Sequence, residues 1–137
     1  MPAVRLGATL QAGRFIASAR DHHLVADATA VRGGPGESWA AAELLLAGLA
    51  TCAAALVQSA AASDGVRNLQ VAVHAQSEAH ADESWRYERI GLEFGIEEAM
   101  AAQTHVWVGE FQRVCPIYNT LALGTRIEVA INGVPVR

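Results

Sequence analysis

Glu43-Leu44-Leu45-Leu46-Ala47-Gly48-Leu49-Ala50-Thr51-Cys52 is the stretch of sequence around which this chain is organised. Alanine and leucine dominate it and continue to about Ser63, a composition typical of a helix. Ser38 is a suitable N-cap for this helix, and Gly65 is a suitable C-terminal stop. The sequence therefore predicts one long apolar helix, with Cys52 in its interior.

The predicted helix raises the question of a membrane span, because residues 44–62 carry no charge. The polar residues Thr51, Gln58 and Ser59 lie inside this stretch, and no Lys or Arg cluster flanks it. An aromatic belt is also missing from its far end. We therefore predict a buried central helix and no membrane partner.

Alternating apolar and polar residues predict strands on both sides of the helix. The predicted strands are Val4–Gln11, Arg14–Ala19, His23–Ala28, Asn68–Gln76, Trp85–Ile96 and Thr125–Ile131. A second helix is predicted over Gln103–Val114, and Pro116 interrupts it and begins a further helical turn. Ser77–Ser84 is predicted to be a hairpin tip, Glu97-Glu98 a solvated loop and Asn132-Gly133 a turn. This grouping of strands and helices predicts a single α+β domain over residues 1–137.

Composition excludes several classes of function. The 137 residues are 52% hydrophobic and 18% charged, which excludes a disordered chain. The net charge of −4 and the scattered basic residues argue against a nucleic-acid partner. The apolar fraction is high for a small monomer, so we expect a subunit interface, with Trp39, Trp85 and Trp107 as core and interface anchors. The N-terminus lacks the pattern of a signal peptide, and we expect a reducing cytoplasm.

Cys52 and Cys115 are the only cysteines, and the sequence places them in different settings. Cys52 lies in an apolar helix interior, where burial raises a thiol pKa and makes the thiol inert unless a cation lies nearby. Arg14, Arg20 and Arg32, all in the first third of the chain, are the candidates for that cation.

Cys115 lies directly before Pro116, near the start of a predicted helical turn, where the helix dipole favours a thiolate. On dipole grounds Cys115 is the more acidic of the two thiols. A shared redox role requires the thiols to meet in space, which the sequence leaves open. The alternative is that both pack as small apolar residues. The five histidines have no metal-site spacing with the cysteines, so we expect no metal.

Three motifs, in this order, carry a resemblance to a known family. They are Gly33-Gly34-Pro35-Gly36, the helical run that ends at Cys52, and Cys115-Pro116-Ile117-Tyr118-Asn119. At these residues the chain resembles the OsmC/Ohr family, the osmotically inducible and organic hydroperoxide resistance proteins. The similarity extends over about Gly13–Val134.

The resemblance implies an α+β, OsmC-like fold in which two chains intertwine as a homodimer, with sheets wrapped around central helices. It implies thiol-dependent reduction of organic hydroperoxides in an oxidative stress response, with Cys52 as the peroxidatic and Cys115 as the resolving cysteine. An external reductant would restore the two thiols. It would be a lipoyl-type dithiol, a small thiol or a lipoylated protein. The resemblance implies no bound cofactor.

The family's hydroperoxide branch also uses an Arg and a Glu to hold the thiolate. Arg14 is the better match for the Arg, with Arg20 as the alternative. Glu43 is the match for the Glu, although the family position falls on Ala42, one residue earlier. This departure favours an alternative function. In that alternative the chain is a catalytically weak or silent OsmC-like protein that binds a small apolar or thiol-containing ligand at the dimer interface.

Overall fold

The computed structural model describes residues 1–97 and 100–137, so Glu98 of the predicted Glu97-Glu98 loop lies outside the described residues. Its elements, in chain order, are β1 (Arg5–Ala8), β2 (Arg14–Ala19), β3 (His22–Asp27), a short 3-10 turn (Ala30–Arg32), α1 (Ala41–Ser63), β4 (Val71–Ala79), β5 (Tyr87–Ile96), α2 (Ala101–Val114), α3 (Pro116–Leu121), β6 (Arg126–Ile131) and β7 (Val134–Pro135). The chain divides into two compact units, residues 1–45 and 46–137.

The first unit holds an antiparallel sheet of β1, β2 and β3 in sequence order. The predicted bounds of β2 are confirmed, and β3 begins and ends one residue earlier than predicted. The prediction for β1 was too long, because the Thr9 hydroxyl donates to the Gln11 carbonyl and accepts from the Gln11 N–H. These two bonds form a local turn that ends the strand. Gly13, at φ 76°, completes the turn into β2.

The start of α1 differs from the prediction, since Ser38 is not its N-cap. The Ser38 hydroxyl donates instead to the Val25 carbonyl at 2.7 Å, and the helix begins at Ala41. The Glu43 carboxylate accepts from the Ala40 N–H at 2.9 Å, which is half of a capping box. The predicted stop is confirmed, because Gly65 has a φ of 85° just after the helix ends.

The second unit holds a mixed sheet in the order β4-β5-β6-β7. Strands β4 and β5 are antiparallel, whereas β5 and β6 are parallel and are joined through α2 and α3. The parallel pair and β7 were not predicted. Strand β4 runs on to Ala79, so the hairpin tip is shorter than Ser77–Ser84. The Asn132-Gly133 turn is confirmed between β6 and β7, with positive φ at both residues.

The core of the second unit lies between the sheet and the helices. Helix α1 contributes one fully buried stripe at a spacing of four residues: Leu49, Ala53, Val57 and Ala61. Strand β5 contributes Ile90, Leu92, Phe94 and Ile96, and α2 contributes Trp107, Val108 and Phe111. By length and composition α1 could cross a membrane, but this stripe makes it a core helix of the second unit. Outside the stripe, its residues are half-buried or exposed in the single chain.

Helix α2 begins at Ala101, two residues before its predicted start, and ends at Val114 as predicted. A hydrogen bond attaches it to the end of α1, since the indole N–H of Trp107 donates to the Asp64 carboxylate at 2.7 Å. Trp107 is fully buried, so its polar atom needs this partner. The bond fixes α2 beside the helix that carries Cys52.

Candidate functional site: a pair of thiols

The second unit brings the two cysteines into contact. Helix α1 carries Cys52, and Cys115 lies at the junction of α2 and α3. Although 63 residues separate them in sequence, their sulfur atoms are 2.7 Å apart and form a thiol–thiol hydrogen bond. Both are free thiols. The question that the sequence left open, whether the thiols meet in space, is therefore answered.

The backbone around Cys115 follows from the proline that comes after it. Cys115 takes an extended conformation, φ −71° and ψ 115°, which ends α2, and Pro116 occupies the first turn of α3. The Cys115 sulfur accepts from the Tyr118 N–H at 3.3 Å and so caps α3. The Asn119 side-chain amide donates to the carbonyls of Cys115 and Gln112, at 2.8 and 3.0 Å. The hydrogen bonds within the Cys-Pro-Ile-Tyr-Asn motif thus hold the Cys115 sulfur at the break between α2 and α3.

Aromatic side chains support this break from the core. The rings of Phe94 and Phe111 meet edge to face with centroids 5.8 Å apart, and those of Phe111 and Tyr118 do so at 5.1 Å. The Gln112 amide donates to the Tyr118 hydroxyl at 3.1 Å. Sequence reasoning missed Gln112, which lies one helical turn before Pro116 and carries no motif of its own. These contacts leave the Cys115 sulfur little freedom to move.

The two thiols differ in their access to solvent. Cys115 is 0% exposed, whereas Cys52 is partly exposed. A small molecule in solution can therefore reach Cys52 more readily than Cys115. The dipole argument favours Cys115 as the more acidic thiol, whereas access to solvent favours Cys52.

The surroundings of Cys52 keep it in the thiol form. Burial raises its pKa to about 11 from an ordinary value of 9.0, and the hydrogen bond with Cys115 adds to the rise. A thiol with this pKa is a poor nucleophile at neutral pH, because the thiolate is the reactive form. Reactivity at Cys52 therefore requires a cation that the second unit does not place beside it among its described residues.

Arg14, the predicted activating cation, forms a two-point ion pair within the first unit. Its Nε and Nη2 donate to the two carboxylate oxygens of Asp27, both at 2.8 Å. The Asp27 side chain is 0% exposed and also accepts from the backbone N–H groups of Glu37 and Ser38, at 3.0 and 2.9 Å. Hydrogen bonding from Arg14 lowers the pKa of Asp27 from 3.8 to about 2, and the pKa of Arg14 is raised in return.

Sequence reasoning missed Asp27, although the strand register could have suggested it. Arg14 and Asp27 are directly opposed on β2 and β3, where oppositely charged side chains pair. Arg20, the alternative cation, is exposed in the β2–β3 turn with a φ of 55°. Arg32 is exposed at the end of the 3-10 turn.

Glu43 lies in the first turn of α1 as an exposed residue, where its carboxylate caps the Ala40 N–H. Its predicted catalytic role stays a prediction. Among residues 1–97 and 100–137, no cluster of three or more His, Cys, Asp or Glu side chains has the arrangement of a metal site.

Comparison with known proteins places the chain in a family. Residues 34–130 match the family model described as OsmC-like protein. No curated protein matches the sequence. A solved structure from Psychrobacter arcticus, of a putative osmotic stress induced and detoxification response protein, is 16% identical, with 96% of each chain covered and a TM-score of 0.81.

Two further structures share the fold. An organic hydroperoxide resistance protein OsmC from Legionella pneumophila is 16% identical, with 96% of each chain covered and a TM-score of 0.74. A putative organic hydroperoxide resistance protein from Vibrio cholerae, with captopril bound in one of its active sites, is 19% identical, covers 98% of this chain and 94% of its own, and has a TM-score of 0.73. The predicted OsmC-like α+β fold is confirmed, and the chain belongs to the OsmC-like protein family.

Proposed function

We propose that this protein reduces organic hydroperoxides with Cys52 as the attacking and Cys115 as the resolving cysteine. The observation that carries the proposal is the 2.7 Å contact between a partly exposed and a fully buried thiol. An attacking sulfur needs access to substrate, and a resolving sulfur needs only access to its partner. Family membership supports a peroxide-related role, since structures of the same fold come from organic hydroperoxide resistance proteins.

The proposed cycle has three balanced steps. The Cys52 thiolate attacks the terminal oxygen of the hydroperoxide, so an S–O bond forms, the O–O bond breaks, and the alkoxide leaves as an alcohol after taking a proton. The Cys115 sulfur then attacks the Cys52 sulfenic acid, and water leaves as the disulfide forms. An external dithiol reduces that disulfide by exchange and becomes a disulfide itself. The contact between the sulfurs supports the second step, because a disulfide needs only a short further approach.

The first step needs a cation that stabilises the Cys52 thiolate. We assign this role to Arg14, with Arg20 as the alternative, from the same chain or from a second copy. Arg14 is favoured because Asp27 holds its guanidinium in one orientation, whereas Arg20 is exposed in a turn. Glu43 is retained as a candidate for this step.

A homodimer is part of the proposal. Within the single chain, Trp85 is 79% exposed, and Trp39, Val106 and Leu123 are also exposed, a large apolar surface for a small protein. The apolar residues of α1 outside its buried stripe add to it. A second copy would cover such surfaces, as the family context suggests. The proposal also includes a cytoplasmic location. The reductant would be a lipoyl-type dithiol, a small thiol or a lipoylated protein.

The alternative function is ligand binding without turnover. Two observations favour it: burial raises the pKa of Cys52, and Glu43 already has a partner in the Ala40 N–H. A catalytically silent protein of this family would bind a small apolar or thiol-containing molecule at its dimer interface. The Vibrio cholerae relative holds captopril in an active site.

Turnover with a defined peroxide separates the two functions. Cumene hydroperoxide and dihydrolipoate would be added to catalytic amounts of wild type, Cys52→Ser and Cys115→Ser, and the alcohol product would be measured. The peroxidase proposal predicts multiple turnovers in the wild type and none in Cys52→Ser. Absence of product from the wild type, together with ligand-induced thermal stabilisation that survives Cys52→Ser, would favour the binding protein instead.

A further inference from the structure

Helix α2 ends where one of its carbonyl groups loses its regular hydrogen-bond donor. In an α-helix the carbonyl of each residue accepts from the N–H four residues later. For the Gln112 carbonyl that residue is Pro116, which has no N–H. The extended conformation of Cys115, at ψ 115°, also turns the chain out of the helix. A donor from elsewhere is therefore needed to satisfy this carbonyl.

The Asn119 side chain supplies that donor. Its amide nitrogen, which carries two hydrogens, donates to the Gln112 carbonyl at 3.0 Å and to the Cys115 carbonyl at 2.8 Å. The Arg113 carbonyl lies at 3.5 Å from the same nitrogen, the outer limit of a hydrogen bond. The Asn119 backbone N–H also donates to the Cys115 carbonyl, at 3.0 Å. One residue of α3 thus connects the end of α2 to the first turn of α3, with Cys115 between them.

The two sulfurs of the thiol pair are held in different ways. Cys52 lies inside the regular helix α1, so the helix backbone fixes its Cα. Cys115 lies between two helices, so its backbone is fixed by the contacts that join them. The sulfurs are 2.7 Å apart, and a disulfide requires about 2.05 Å together with a narrow range of Cα separations. Movement at the α2–α3 junction would therefore take Cys115 out of disulfide-forming geometry.

The remaining contacts of the junction act on its core side. Phe111 and Gln112 hold the Tyr118 side chain, through an edge-to-face contact and a hydrogen bond to its hydroxyl. These contacts pack α3 against the core, but they do not involve the Cys115 carbonyl. Within the described part of the chain, the hydrogen bonds that this carbonyl accepts both come from Asn119. Asn119 is therefore the residue that fixes the backbone of Cys115.

We propose that Asn119 is a positioning residue, which holds Cys115 in disulfide-forming geometry opposite Cys52. The inference rests on the proposed function, because it concerns the second step of the cycle. In that step an S–S bond forms between Cys115 and Cys52 while the group bound to the Cys52 sulfur leaves. Asn119 acts through the backbone of Cys115 and not on the peroxide.

Oxidised glutathione tests this role without any peroxide. The Cys52 thiolate attacks one glutathione sulfur, and the other leaves as a thiolate and takes a proton. The Cys115 thiolate then displaces the remaining glutathione, so the products are the internal disulfide and two molecules of reduced glutathione. The glutathione equilibrium and the rate at which the mixed disulfide closes would be measured by acid quenching and intact mass.

The variants remove the donor or leave it in place. Asn119→Ala removes the side-chain amide. Asn119→Asp keeps the shape of the side chain but turns oxygen atoms toward the carbonyl groups, so it still decides if Asn119→Ala does not fold. Thr120→Ala is the matched control, because Thr120 is the next residue of α3, is also exposed, and forms no side-chain hydrogen bond within the described part of the chain.

Positioning predicts that both Asn119 variants lower the equilibrium constant for the internal disulfide and the closure rate by about tenfold, the loss expected for two exposed hydrogen bonds. The mixed disulfide of Cys52 with glutathione should accumulate in these variants. Thr120→Ala should change both quantities by less than about twofold.

A role in fold stability alone predicts a different result. The Asn119 variants would then lose the same stability in urea whether reduced or oxidised, and their glutathione equilibrium and closure rate would equal those of the wild type. That result, or a wild type that forms no internal disulfide with glutathione, would overturn the positioning role. A wild type that forms the disulfide but consumes no peroxide would overturn the proposed function and leave the role of Asn119 to be decided by its variants in the same glutathione assay.

Discussion

The proposed chemistry depends on ionisation of the Cys52 thiol, which a pH titration can measure directly. Inside the second unit its pKa is raised to about 11. At pH 7 such a thiol is ionised in roughly one molecule in ten thousand, too few for an efficient nucleophile. The peroxidase proposal therefore requires the assembled protein to lower this pKa by a large amount.

The size of the expected effect follows from a single charge. A guanidinium about 4 Å from a thiolate, at an effective dielectric constant of about 20, stabilises it by roughly 4 kcal/mol. At about 1.4 kcal/mol per pH unit, this lowers the Cys52 pKa by about three units, to roughly 8. Arg14→Ala should then raise the midpoint by about three units relative to the same background with Arg14 present, and Arg20→Ala should leave it unchanged.

Thiolate absorbance at 240 nm and iodoacetamide alkylation rates would both be followed from pH 5 to pH 11, in a Cys115→Ser background so that one thiol titrates. Intact mass would confirm that a single sulfur is modified. The same midpoint with Arg14 and with Arg14→Ala would refute the activation of Cys52 by Arg14. A shift in Arg20→Ala alone would assign the role to the alternative arginine.

Three further predictions concern the elements that hold the site. The pKa of Asp27 is about 2 when folded and 3.8 ordinarily, so its ion pair stabilises the first unit above about pH 4. That stability is lost as the pH falls through about 2, and circular dichroism should show an acid transition in this range that is weakened in Asp27→Asn. Trp107→Phe removes the hydrogen bond to Asp64 and should destabilise the protein by about 1–2 kcal/mol in urea unfolding; an unchanged midpoint would contradict the value given to this bond. Glu43→Ala removes the oxygen that caps the Ala40 N–H and should cost ~0.5 kcal/mol, whereas Glu43→Gln keeps a capping oxygen and should restore stability in the same assay.

Local patterns were sufficient to predict most of the elements. The long helix around Cys52, its stop at Gly65 and the helix break at Pro116 were predicted correctly, because composition, glycine and proline act on the chain directly. The bounds of β2 followed from alternation, and those of β1 did not, because the Thr9 side chain ends that strand early. The parallel pairing of β5 with β6 is a long-range contact, which no local pattern encodes.

The sequence suggested candidate residues for the site, but it could not show how they are arranged in space. Two cysteines in distinctive motifs suggested a redox pair, which stays a prediction, and the packing of α2 against α1 brings their sulfurs together. Ser38 fits the preference for an N-cap, but its hydroxyl bonds the Val25 carbonyl, because the segment before α1 lies along β3. Asp27 was missed for the same reason, since its importance comes from donors that are far apart in sequence.

The most direct test of the redox pair is a free-thiol count with intact mass, after one equivalent of cumene hydroperoxide is added to reduced protein. Cys52→Ser and Cys115→Ser would be treated in parallel. The account predicts that the wild type rapidly loses both thiols and the mass of two hydrogen atoms, that Cys115→Ser stops at a sulfenic acid on Cys52, and that Cys52→Ser does not react. A wild type that keeps both thiols after long exposure would contradict it.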